Sequence, residues 1–195
     1  MGNFGVYGEL GFFHVMDLAG YDHVLFLIAL ALPFGYALWK RVLWLATLFT
    51  VSHCLSLALA AFDVISFDSG VVEFLIPITI FLTAIFDIFL VRGTLNTGTA
   101  FKIHLVSTGL FGLIHGLGFS NYFRMLMSGE SDKTGPLFGF ALGIEVAQIV
   151  VLILVMSLTY LVVNRLKAPQ TWFIRIMASA IALIAVLLMI RAWPA

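Results

Sequence analysis

The stretch LFGFALGIEVAQIVVLILVMSLTYLVV, residues 137–163, carries a single charged side chain, Glu145. About 20 apolar residues are enough to cross the hydrocarbon core of a bilayer as a helix, so this stretch predicts a transmembrane helix. The whole chain has the same character, with 62% hydrophobic residues, 10% charged residues and a mean hydropathy of +1.12. Soluble domains carry about 25% charged residues, so the composition excludes an ordinary soluble protein.

Further apolar segments flank this stretch and are separated by short polar connections. Together with it, the predicted spans are Tyr21–Leu38, Val42–Phe62, Gly70–Val91, Ala100–Phe119, Leu137–Val163 and Phe173–Ile190. The first is short unless Phe12–Ala19 adds a preceding helical or re-entrant piece. We therefore expect an all-α, polytopic membrane helix bundle of about six transmembrane helices. It forms a single domain over residues 1–195, and a short re-entrant or amphipathic N-terminal helix is left open.

Basic residues are distributed unevenly between the two predicted ends of the bundle. One end holds Lys40, Arg41, Arg92, Lys102, Arg165, Lys167 and Arg175, and the other holds Arg124, Lys133 and Arg191. Because cytoplasmic ends of membrane proteins are rich in lysine and arginine, we expect the first end in the cytoplasm and both termini outside.

Charge and cysteine content limit the partners of the chain. The formal net charge is zero, which argues against nucleic acid as a partner. Cys54 is the only cysteine, so the chain contains no internal disulfide. Residues 1–11 lack a basic residue and an apolar core, and we expect no cleaved signal peptide there. Membrane lipids are the expected surroundings, and the sequence leaves open a homo-oligomer.

Polar residues inside the predicted spans are the candidates for function, because they are costly at membrane depth and usually persist for a reason. The predicted orientation places two groups at different depths. The outer group comprises His14, Asp22, His23, Glu73, His115 and Glu145, with His53 near the middle of the second span. Asp87 and His104 lie in the inner half. Helical spacing places His104 and His115 on one stripe, and Glu145 and Gln148 on one face.

These stripes predict a polar lane through the bundle with stations at two depths. Gln148, Ser52 and Cys54 are supporting candidates beside the lane, and the glycine pairs Gly112/Gly116 and Gly139/Gly143 have the spacing that lets helices approach closely. Imidazoles and carboxylates together form a ligand set for a divalent transition metal, and imidazole serves nickel, cobalt, zinc and copper alike.

Four segments of the chain carry a family resemblance. They are His14 with GYDHVLF (20–26), LFTVSHCLSL (48–57), FGLIHGLGF (111–119) and LGIEVAQ (142–148). At these residues the chain resembles the HupE/UreJ family of bacterial membrane proteins, described as nickel or cobalt permeases of about six helices. The resemblance implies a location in the bacterial inner membrane. It also implies an outer metal-capture group of His14, Asp22 and His23, continued inward by His53, His115 and Glu145.

Two functions lead among those compatible with these residues, and a structural-metal membrane subunit or assembly partner is a third possibility. We favour a divalent-metal transporter, with nickel first by resemblance and zinc or cobalt permitted by the ligands, whose ion leaves past Asp87 and His104. No nucleotide motif is present, so transport is facilitated or driven by a gradient, with Glu145 a candidate for proton exchange. The alternative is a membrane-embedded zinc hydrolase that acts on a lipid amide or ester through a metal-bound hydroxide. A transporter requires a lane to the cytoplasm, whereas a hydrolase requires a lateral cleft.

Overall fold

The computed structural model of the protein describes residues 2–17, 19–90, 98–130 and 132–193, and the regular structure in these ranges is helical. Its α-helices are α1 (Gly2–Met16), α2 (Asp22–Ala31), α3 (Trp39–Ala61), α4 (Ser69–Leu90), α5 (Gly98–Met127), α6 (Thr134–Thr159) and α7 (Gln170–Arg191). Helices α3 to α7 are long and apolar enough to cross a membrane. The predicted all-α membrane helix bundle is confirmed.

Large apolar side chains cover the outside of this bundle. Trp44, Phe89, Leu183 and Ile190 are each more than 60% exposed. Soluble monomers rarely expose apolar surface on this scale, whereas lipid tails solvate it without cost. The interior is also mostly apolar, but several histidines, threonines and an aspartate are buried within it.

The predicted first span, Tyr21–Leu38, is wrong in extent. Its helix α2 ends at Ala31, and residues Tyr36–Leu38 form a 3₁₀ turn that leads into α3. Pro33 explains the break, because proline lacks the backbone donor that would bond the carbonyl of Ala29 and its ring clashes with that carbonyl. At about 1.5 Å per residue, the ten residues of α2 reach only about 15 Å, half the thickness of a hydrocarbon core.

Helix α1 supplies the missing half of that span. The upper end of the bundle is defined here as the end at which α3 and α5 terminate. The lower end is the one at which α2 and α6 terminate. Phe4 packs on Phe138 near the start of α6 at the upper end, with ring centroids 6.2 Å apart. Beyond α2, Tyr36 packs on Tyr160 at the finish of α6, at 5.8 Å. Helices α1 and α2 therefore cross the bundle one after the other, interrupted at residues 17–21.

The remaining helix boundaries depart less from the predicted spans. Helix α5 continues to Met127, eight residues beyond the predicted end. Its additional turns carry the polar residues Asn121 and Arg124 past the end of the apolar segment. Below Thr159, α6 continues as wider π-type turns over Tyr160–Arg165. Val91, the predicted end of the third span, and Arg92 lie outside the described residues.

Glycines allow two pairs of helices to cross at short range. A Cβ at Gly11 or Gly143 would meet the backbone of Phe140 or of Gly8, so α1 and α6 touch through their main chains. At the second crossing, a Cβ at Gly116 would meet the carbonyl of His53 and the hydroxyl of Ser56, and α5 therefore lies directly against α3. Both crossings contain the glycine pairs predicted to allow close approach.

Filling the α1–α6 crossing should destabilise the fold. We expect Gly143→Ala to lower the free energy of unfolding by about 1–3 kcal/mol, as overpacking does in close-packed interiors. Gly5→Ala is the control, because open space surrounds that position on the same helix pair. Thermal unfolding in detergent measures both variants, and equal midpoints would contradict the close crossing.

Candidate metal centre

Four imidazole rings meet at the interruption between α1 and α2. His14 comes from the last turn of α1, His23 from the first turn of α2, His53 from α3 and His115 from α5. The ring of His23 is central: its centroid lies 4.5 Å from that of His14, 5.5 Å from His53 and 5.3 Å from His115. Counted along α3 and α5, the cluster lies about 12–18 Å below the upper end.

The nitrogen and oxygen atoms of this cluster form two groups that share His23. One group is His14, His23 and His53, and the other is Asp22, His23 and His115; within each, the potential ligand atoms lie within 4.8 Å of one another. A divalent metal binds imidazole nitrogen at about 2.0–2.1 Å, so an ion between three such atoms is within reach of all of them after small side-chain rotations.

Most of the ring nitrogens in the cluster have no protein partner. Among the described residues, His14 Nε2, His23 Nε2, both nitrogens of His53 and Nδ1 of His115 are buried without a hydrogen bond. Leaving a buried polar atom unpaired costs about 1–3 kcal/mol. Several such unpaired atoms in one cluster therefore destabilise the metal-free fold, and the same atoms are suited to bind a cation.

Asp22 orients the central histidine. Its Oδ1 atom accepts the backbone N–H of His23 at 2.9 Å and lies 3.2 Å from the Nδ1 atom of the same residue. An ionised carboxylate only accepts, so Nδ1 of His23 carries the proton and Nε2 keeps its lone pair. A carboxylate that holds a histidine in this way is a recurrent support for metal ligands.

Apolar rings enclose the cluster and lower its dielectric. Phe119 lies 4.1 Å from His14, and Phe26 and Phe49 lie 5.3 and 5.2 Å from His115, between ring centroids. Polar interactions are stronger in such surroundings than in water, and unpaired polar atoms are more costly.

A cavity connects the cluster with the upper end of the bundle. Its volume is about 270 Å³, and its polar lining consists of His14, Asp17, Asp22, His23, Glu73 and His115. Two larger cavities of about 650 and 430 Å³ share lining residues with it. The larger is lined by His14, Phe13 and Tyr122, and the smaller by Asp22, Glu73 and Arg191.

Comparison with known proteins identifies the family. The family model described as HupE / UreJ protein matches residues 1–193. The chain belongs to the HupE/UreJ family. Neither the search of curated proteins nor that of solved structures found a match to it.

In this HupE/UreJ protein, Glu145 lies apart from the histidine cluster. Its Oε1 atom accepts the hydroxyl of Thr47 at 2.6 Å, and its Oε2 atom accepts that of Thr50 at 2.7 Å. Thr50 also lies 3.2 Å from the side-chain amide of Gln148. A hydroxyl has one hydrogen, so if Thr50 donates to Glu145 the amide of Gln148 must present its nitrogen to Thr50. Glu145 thus links α6 to α3 and is absent from both groups of ligand atoms.

The other predicted polar residues take separate positions. Glu73 is exposed at the mouth of the cavity, whereas Asp87 and His104 are buried in the lower half, with His104 between Phe34 and Phe86. Ser52 donates to the carbonyl of Leu48 within α3, at the crossing with α5. Cys54 is half-buried.

Sequence reasoning missed four residues. Thr79 contacts the ring of His115, Thr47 and Thr50 hold Glu145, and Asp17 lines the cavity. No sequence signal marks the threonines, because threonine is common in membrane helices. Asp17 could have been noticed from its place between His14 and Asp22.

Removal of one cluster histidine should abolish tight metal binding. We expect His53→Ala to weaken equilibrium Ni²⁺ binding to the purified protein by more than the roughly 10–100-fold that losing a supporting contact costs. His104→Ala is the matched control, since it removes an equally buried histidine from the lower half and should leave this affinity near wild type. Equal losses in the two variants would contradict a single upper cluster.

Proposed function

We propose that this protein binds a divalent transition metal at the His14, His23, His53 and His115 cluster and passes it across the membrane. The observation that carries the proposal is the convergence of four imidazoles, with ring nitrogens lacking protein partners, at the bottom of a cavity that reaches the upper end. Such nitrogens bind first-row transition metals well. An ion that enters the cavity exchanges its hydration water for these ligands over a short distance.

Nickel is the leading substrate, with cobalt and zinc as chemically equivalent candidates. Family membership favours nickel or cobalt, whereas the imidazole ligands alone accept any of the three. Asp17 and Glu73, exposed at the mouth of the cavity, attract the hydrated cation, and Asp22 then holds His23 ready to replace water.

The upper end faces the outside of a bacterial inner membrane in this proposal. The described basic residues favour it, because Lys40, Lys102, Arg165, Lys167 and Arg175 lie toward the lower end. Below the cluster the ion passes Asp87 and His104, which are buried on α4 and α5 with oxygen and nitrogen atoms that lack a partner within the described ranges. Apolar rings accompany the histidines at both depths, because Phe26 packs beside His115, and Phe34 and Phe86 pack beside His104.

Transport itself is the first test. In proteoliposomes, we expect uptake of radiolabelled nickel by the wild type and none above empty vesicles for His23→Ala, because that change removes the ligand common to both groups. Tight binding without flux would contradict a transporter and leave a metal-binding protein.

Glu145 should affect flux and affinity differently. Because its carboxylate is held by Thr47 and Thr50 rather than grouped with the ligand atoms, we expect Glu145→Ala to lower nickel uptake while the equilibrium affinity stays near that of the wild type. Nickel uptake and equilibrium nickel affinity, measured on the same preparation, distinguish a role in flux from a role as ligand. An affinity loss equal to that of His53→Ala would make Glu145 a ligand, and unchanged flux would remove it from the path.

One feature favours a second candidate, a membrane-embedded metal hydrolase. The 650 Å³ cavity places the apolar side chains of Leu10, Phe13 and Phe119 beside His14, an arrangement that could hold an acyl chain next to a bound metal. Zinc-dependent release of fatty acid from lipid amides by the purified protein, lost in His53→Ala, would support this candidate over transport.

A further inference from the structure

The ring of His115 is held at its Nε2 atom by a hydroxyl group. Thr79, on the buried face of α4, places its Oγ1 atom 2.9 Å from Nε2 of His115. The same Oγ1 atom lies 2.7 Å from the backbone carbonyl oxygen of Ile76. Both residues are almost fully buried, so this geometry is shielded from water.

The direction of the two hydrogen bonds follows from the number of protons available. A carbonyl oxygen only accepts, and two oxygens at 2.7 Å repel each other unless a hydrogen lies between them. The single hydroxyl hydrogen of Thr79 must therefore point at Ile76. The Oγ1 oxygen of Thr79 can then only accept a hydrogen bond from His115. The proton in this hydrogen bond is therefore carried by Nε2 of the imidazole.

We propose that Thr79 is a positioning residue that keeps His115 protonated at Nε2 and thereby presents the lone pair of Nδ1 to the metal. The Nδ1 atom of His115 is buried without a hydrogen-bond partner in the described part of the chain, and His115 is one of the residues in the ligand group with Asp22 and His23. The metal part of this inference rests on the proposed function, whereas the position of the proton does not.

His23 presents its opposite nitrogen for the same reason. Asp22 accepts from its Nδ1 atom, so His23 offers Nε2, while His115 offers Nδ1. The two rings, 5.3 Å apart, thus direct lone pairs of different ring atoms into one cluster. Which nitrogen a metal-bound histidine uses is set by the hydrogen bond at the other nitrogen, and loss of such a support typically costs about 10–100-fold in metal affinity.

The proton positions can be measured directly. Nitrogen NMR of the metal-free protein with labelled histidine distinguishes a protonated ring nitrogen from one with a lone pair. We expect His115 to carry its proton on Nε2 and His23 on Nδ1, with His115→Gln and His23→Gln used to assign the signals. A proton on Nδ1 of His115 would overturn the proposal whether or not the protein transports metal.

Substitutions of Thr79 test the consequence for binding. We expect Thr79→Val, which keeps the shape and removes the hydroxyl, to weaken Ni²⁺ binding about 10–100-fold, and Thr79→Ser to restore most of the affinity. Thr83→Val is the matched control, because Thr83 is buried one turn away on α4 and its hydroxyl bonds the carbonyl of Thr79 rather than a histidine.

The pattern across these variants separates positioning from packing. Wild-type affinity in Thr79→Val, or an equal loss in Thr83→Val, would overturn the role of Thr79. If the wild type binds no Ni²⁺ while His115 carries its proton on Nε2, the proposed function fails and the assignment of the proton to Thr79 stands.

Discussion

Ring nitrogens with unused lone pairs, held deep in an apolar bundle, are the constraint on which this structure depends. In the described residues His53 has no partner at either nitrogen, and His14, His23 and His115 each have one unpaired nitrogen. A folded chain tolerates such atoms only where another interaction offsets their desolvation. In the proposed function, a metal cation shared between these nitrogens supplies that interaction.

The interruption between α1 and α2 follows from the same requirement. In a continuous first helix, His14 and His23 would lie on opposite faces and about 14 Å apart in depth, because nine residues make two and a half turns. The break instead brings their ring centroids to within 4.5 Å of each other. Irregular backbone inside a membrane is tolerated where it is covered by protein or lines a cavity, and Asp17 and residues 19–21 line the cavities at the interruption. The glycine crossings complete the arrangement, because Gly116 lets α5 approach the carbonyl of His53.

Depth along the helices was predictable from sequence, and rotation about their axes was not. Hydropathy and the rise per residue placed His23, His53 and His115 at similar depths, and the structure brings them together. The same reasoning grouped Glu145 with them, yet its side chain faces Thr47 and Thr50 on α3. An N-terminal helix was left open from sequence, with a helical piece at Phe12–Ala19, but the extent of α1 over Gly2–Met16 was missed. Its glycines and Glu9 interrupt the apolar pattern, and the helix packs closely on α6.

The central claim is tested most directly by the position of the metal itself. Anomalous scattering from crystals grown with Ni²⁺ should show one strong peak within coordination distance of His23, between His14, His53 and His115, at the interruption of the first span. A peak only at surface carboxylates, or histidine rings that remain bonded to their own backbone with no metal between them, would contradict the account.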